Sequence, residues 1–182
     1  MISKDELYVL SYYRACELAG AVLFGRLALV TEIDELRVPL TNHCLEEAEH
    51  GWLWTKTIQE LDHTPLKVTQ IYQTEYGKEF GMPQNILEVL CLTQVFEKRT
   101  LAHFTKHLSL SNVNLLVKKA LQKMIDDESG HIGWVKKKLD EYAKKHGQAS
   151  VDKTMKKLLE IDEKIYSRLL KQQPFMDFFG GK

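Results

Sequence analysis

The chain has 182 residues, with Lys plus Arg and Asp plus Glu both at 25, so its formal net charge is zero. That length suits one hydrophobic core, and 44% hydrophobic against 27% charged residues exclude a disordered chain. A strongly basic nucleic-acid module is excluded at the whole-chain level, and only 4 Pro and 10 Gly favour long helices over many short strands.

Helical periodicity dominates from the start. Ser3 with Glu6 forms a capping box, and Leu7, Leu10, Glu17, Ala21, Phe24 and Ala28 share a stripe, which predicts a first helix over about 4–33. Val38-Pro39 interrupts the pattern, so a second helix is expected from near 41 to about 61, ending before Thr64-Pro65. Residues 66–82 are mixed, with a short helix expected around Ile71 and Tyr76. Pro83 suits a helix N-terminus, and a third helix follows over about 84–108. Ser111 and Asn112 offer the next caps, and a fourth helix runs to about 145 with Gly147 as its C-cap. A fifth helix is expected over about 151–172, and an aromatic, Gly-rich tail occupies 174–182.

Short turns join the first two helices and the next two, while about 20 residues separate the pairs. Short turns force antiparallel neighbours, and a long connection lets the third helix run parallel to the second. The expected fold is therefore all-α: two helical hairpins packed as a four-helix bundle over about 4–146, plus an extra helix, all in one domain of residues 1–182.

The zero net charge hides an asymmetry. Residues 1–91 carry a balance of −7 and residues 92–182 a balance of +7. The N-terminus is polar, and no apolar run approaches the roughly 18 residues that span a membrane. Cys16, Cys44 and Cys91 are odd in number and form no Cys-x-x-Cys pair, which reads as reduced thiols of a cytoplasmic protein.

Four acids occur where apolar residues belong. Glu17 lies in the stripe of the first helix with Tyr13, Gly20, Ala21 and Phe24. Glu47 and His50 lie in the second, flanked by Cys44 and Trp54. Glu97 lies in the third with Leu90, Leu101 and Phe104, and Glu128 and His131 lie in the fourth among Met124, Ile125, Ile132 and Val135. Each hairpin thus supplies a Glu and then a Glu-x-x-His, separated by 30 residues (17 to 47) and 31 residues (97 to 128).

Residues i and i+3 share a helix face, so Glu-x-x-His can offer a carboxylate and an imidazole to one metal ion. Near-equal separations across short turns bring the two donors of each hairpin level. Four carboxylates and two imidazoles form the ligand set of carboxylate-bridged di-iron or di-manganese sites, and oxygen-rich donors favour iron or manganese over zinc. With 16 Glu and 7 His, chance gives roughly 0.6 Glu-x-x-His matches, and the sequence has three. The third, Glu60 and His63, is turned away from Glu47 and ends its helix, so it is expected at the surface. Holding the four acids by salt bridges instead would need buried cations, and only Arg14 shares a helix face with one of them.

Over about residues 5–145 this constellation resembles the ferritin-like di-iron carboxylate superfamily, which includes bacterioferritins, rubrerythrins and di-iron oxygenases. The resemblance implies two iron ions (Mn/Fe or Mn/Mn as alternatives), with Glu47 and Glu128 bridging, Glu17 and Glu97 terminal, and His50 and His131 each on one metal. It also implies that Asp127, and its counterpart Glu46, hydrogen-bond a ligand histidine. Rubrerythrins carry a further Glu where this chain has Gln94, and the rubredoxin module is absent, which weakens a peroxidase reading. Trp54 stands where reductase subunits keep a radical Tyr. Bacterioferritins are shorter and lack a long fifth helix.

The expected function is a non-haem di-iron oxidoreductase that activates O2 or peroxide for an organic substrate, small and hydrophobic or carrier-bound, with an electron-donor protein as a partner. Ferroxidase storage or peroxide scavenging is the alternative. Cys16, Cys44 and Gln94 could line the substrate pocket. His43, one turn before Glu47, could support a ligand, while His103 and His107 read as surface or helix-end residues. Trp52, Trp54 and Trp134 read as core or interface. Lysine clusters at 118–119, 136–138, 144–145 and 156–157 read as a basic outer face. Phe175, Phe178 and Phe179 are too apolar for a free tail and should cover the bundle or join a homodimer.

Overall fold

A computed structural model describes residues 2–180, and its regular structure is entirely helical. The helices are α1 (Lys4–Val30), α2 (Asp34–Glu60), α3 (Tyr72–Glu79), α4 (Ile86–Leu108), α5 (Leu115–His146), α6 (Gln148–Leu169) and α7 (Gln173–Phe179). The all-α class is as expected. Met1 and the last two residues of the expected tail lie outside the described residues. No helix among the described residues is long and apolar enough to cross a membrane.

The start of α1 follows the capping box, with Ser3 Oγ accepting from the Glu6 backbone N–H at 3.0 Å. Its end departs from expectation. The break falls at residues 31–33, and Pro39 lies inside α2. The Thr31 hydroxyl accepts the Ile33 backbone N–H at 3.2 Å, a local bond that competes with helix continuation. Asp34 and Glu35 in the first turn of α2 favour its positive N-terminus. Pro39, so near that end, costs one backbone bond, to the carbonyl of Glu35. At the far end Asp62 takes φ 60, and the N–H groups of Asp62 and His63 bond the carbonyls of Gln59 and Ile58. This cap turns His63 off the helix, so the third Glu-x-x-His shares no helix face. Glu60 is exposed and pairs with Lys56.

The chain clusters into two compact units, Met1–Thr74 with Gln172–Lys182, and Glu75–Lys171. In the first, α1 and α2 form an antiparallel hairpin whose partners run in opposite order: Arg14 with Thr55, Glu17 with His50, Phe24 with His43. Trp54 is fully buried, with Tyr13 at 5.2 Å between ring centroids. The expected tail forms α7, whose Phe175 is buried edge-on against Tyr8 and Tyr12 of α1.

In the second unit α4 and α5 form the other hairpin. Asn85 caps α4 by accepting from the Glu88 N–H, and Asn114, rather than Ser111 or Asn112, caps α5. Gly147, at φ +93, ends α5 as expected, because left-handed backbone is free of strain at glycine. α6 packs on both α4 and α5, with Val151, Leu158, Ile165 and Leu169 buried. Tyr76 of α3 donates to the Leu158 carbonyl at 2.5 Å. The lysines of the expected basic face are exposed apart from half-buried Lys138.

Candidate metal centre

In the first unit, Glu17 of α1 and Glu47 and His50 of α2 are all buried, and donor atoms from the three lie within 4.8 Å of one another. His50 Nδ1 is 3.7 Å from Glu17 Oε2, across the hairpin. Small residues let the helices approach here. A Cβ at Gly20 would overlap the Glu47 carboxylate, and one at Gly51 would press on Leu18. Gly20 therefore leaves the space that the Glu47 carboxylate fills. His43 supports the same group, with Nε2 3.1 Å from Glu47 Oε1, and its ring is 3.9 Å from that of Phe24. Arg14, the cation on that face, donates from Nε to Thr55 Oγ1 at 2.7 Å.

In the second unit, Glu97 of α4 and Glu128 and His131 of α5 likewise bring donor atoms within 4.8 Å. Glu128 is fully buried, Glu97 is buried and His131 is half-buried. His131 Nδ1 is 3.0 Å from Glu128 Oε2 on its own helix. Both triads could hold a metal ion, because each joins two carboxylates and an imidazole inside one unit.

The expected supporting residues behave differently from one another. Asp127 accepts from Lys123 Nζ at 2.6 Å, and Glu46 accepts from Asn42 Nδ2 at 2.9 Å. Gln94 is buried one turn before Glu97, and neither of its amide atoms has a hydrogen-bond partner among the described residues. Cys16 and Cys44 are half-buried and Cys91 is buried, all three free. Burial first, then Glu17, raises the Cys16 thiol well above its usual range, and burial with Glu88 pushes Cys91 up to about 12. Both stay protonated and poorly nucleophilic at neutral pH.

His103 and His107 are both buried, which corrects the expectation of a surface role, while His107 does lie in the last turn of α4 as a helix-end residue. α6 covers that face of α4. Tyr166 meets His103 edge-on at 5.7 Å and packs against the Arg99 guanidinium at 3.9 Å. Burial first, then His107, Lys106 and Arg99, pushes His103 down to about 3. Arg99 forks onto Asp162 of α6, with Nε 3.1 Å from both carboxylate oxygens and Nη2 also donating. An acid in the middle of the apolar stripe of α6 was the sequence signal for a cation opposite it, the half-buried Arg99.

The chain matches no family model, and comparison with curated proteins and solved structures finds no match. Its own internal repeat is then the available comparison. Placing Glu17 on Glu97 and Glu47 on Glu128 puts His50 on His131, Arg14 on Gln94, Gly20 on Thr100, His43 on Met124 and Trp54 on Val135.

Proposed function

We propose that the chain is a non-haem dimetal carboxylate oxidoreductase of the oxidase or oxygenase type. Two iron ions are its resident metals, Mn/Fe and Mn/Mn being the alternative fillings, and it uses O2 or peroxide to oxidise or hydroxylate an organic substrate. The observation that supports this reading most is the same donor set, two carboxylates and one imidazole with donor atoms within 4.8 Å, present in each unit.

The donor chemistry fits the metals. Two carboxylates carry −2 and a neutral imidazole carries none, so each triad neutralises one divalent ion. A buried carboxylate without a counter-charge is costly, and a bound cation removes that cost. When bound, the metals supply the electrons that reduce O2 or peroxide. The chain's residues supply position and dryness. Glu17, Glu47 and His50 would hold one ion, and Glu97, Glu128 and His131 the other. His43 orients the Glu47 carboxylate. The Gln94 amide, buried without a hydrogen-bond partner among the described residues, costs about 1–3 kcal/mol until a polar group meets it, and this suits a polar ligand beside Glu97.

Anaerobic loading with two equivalents of Fe(II), then exposure to oxygen, tests the reading. The wild type should consume O2, and a Glu17→Ala, Glu97→Ala double variant should not. A chain that takes up the metal yet leaves O2 and peroxide unconsumed overturns the oxidoreductase part, and one that takes up no metal overturns the whole reading.

A further inference from the structure

The outer face of the first hairpin carries large apolar side chains in water. Val22 and Leu29 on α1 are 73% and 87% exposed, and Val38, Leu45 and Trp52 on α2 are 78%, 56% and 61% exposed. Their spacing is seven residues on each helix. That period keeps side chains on one line along a helix, as a helix-packing seam requires. In the antiparallel hairpin, where Gly20 lies across from Glu47 and Phe24 from His43, Val22 is level with Leu45 and Leu29 with Val38. The two lines therefore form one continuous strip.

The second hairpin is the internal control. Its equivalent positions are Ala102, Ser109, Lys119, Asp126 and Gly133, and all five are exposed. The hairpin architecture thus points these positions outward in both units, but only the first unit makes them large and apolar. Neither the ligand pattern nor the fold accounts for that difference.

We propose that this strip is where a second copy of the chain docks. The five side chains expose on the order of 600 Å², the upper limit of what monomers usually leave as one patch. Two such faces come to about 1,200 Å² before their rims are counted, the lower bound for a stable complex. Exposed Arg26 and Glu49 lie beside the strip on their helices, and the Asp34–Arg37 and Lys56–Glu60 pairs near its ends are each neutral, so it has no net charge with which to select a strongly acidic or basic partner. A two-fold contact lets the same strip serve both copies, since an isologous interface needs a surface that complements itself.

Sedimentation of the 182-residue chain at micromolar concentration is the test. The wild type should have twice the 21.1 kDa chain mass. The Val22→Glu, Leu45→Glu double variant should have the single-chain mass with an unchanged far-UV spectrum. Leu159→Glu, on the exposed side of α6, should leave the wild-type mass unaltered. If the charged pair fails to fold, Val22→Ser with Leu45→Ser replaces it, with the same expectation. A wild type of single-chain mass, or an assembly that survives the strip substitutions, overturns the proposal. Strip-dependent binding of a monomeric wild type to phosphatidylcholine vesicles would instead assign the face to a lipid surface.

Discussion

The two hairpins carry one donor pattern but hold it by different means. In the first, the Glu47 carboxylate fits against Gly20 and is contacted by His43. In the second, the equivalent residues are Thr100 and Met124, and Glu128 is met by His131 of its own helix. The first hairpin relies on close helix approach at a glycine. The second has a third helix, α6, laid on α4 and fixed by Arg99 and Asp162. A repeated set of ligands therefore does not imply a repeated support, and substitutions at equivalent positions should have unequal effects.

The largest expected difference comes from the support peculiar to the second unit. Arg99→Leu leaves the buried Asp162 carboxylate without its cation. Removing one partner of such a pair costs about 3 kcal/mol, which for a chain of this size lowers Tm by about 6–12 °C. Thermal unfolding followed by circular dichroism reads this directly, and adding Asp162→Leu should recover most of the loss. An unchanged Tm would show that the pair does not hold α6.

Next is the glycine peculiar to the first unit. Gly20→Ala displaces only the end of a flexible side chain, Glu47, so the fold should tolerate it. Metal affinity of the first triad should fall about 10-fold or more, the scale for disturbing a ligand's support. Thr100→Ala in the second hairpin should leave affinity unchanged. Calorimetric titration with Mn(II) compares them, and equal losses would erase the distinction between the hairpins.

Near neutral pH the smallest effect is that of His103, and it grows only on acidification. Folding pushes His103 down to about 3, so between the ordinary histidine value near 6.5 and 3 the unfolded chain binds a proton that the folded chain does not. Stability then falls as pH falls through that window, by up to about 1.4 kcal/mol per pH unit from this group. His103→Phe should flatten that slope in urea unfolding series between pH 7 and 4. A slope identical to wild type would show that His103 is not buried neutral.

The clusters of Glu17, Glu47 and His50 and of Glu97, Glu128 and His131 were legible because acids at helical spacing contradict the apolar stripe around them, and they do so twice at separations of 30 and 31 residues. Gly147 and Ser3 were legible because their cap chemistry is local. The break between α1 and α2 was misplaced because a proline near a helix start is tolerated, whereas Thr31 competes through a side-chain bond that composition does not advertise. The burial of His103 was missed for a tertiary reason: helix periodicity shows which residues share a face, not which faces a later helix covers. The role of Gly20 was hidden because it depends on a distance between helices.

On the proposed reading each hairpin holds one metal ion, and elemental analysis counts the metal per chain. Wild-type protein loaded with Fe(II) and desalted should hold two metals per chain. Glu128→Ala, which removes a donor of the second hairpin's triad, should hold about one. Two metals per chain in that variant, or none in the wild type, would contradict the account.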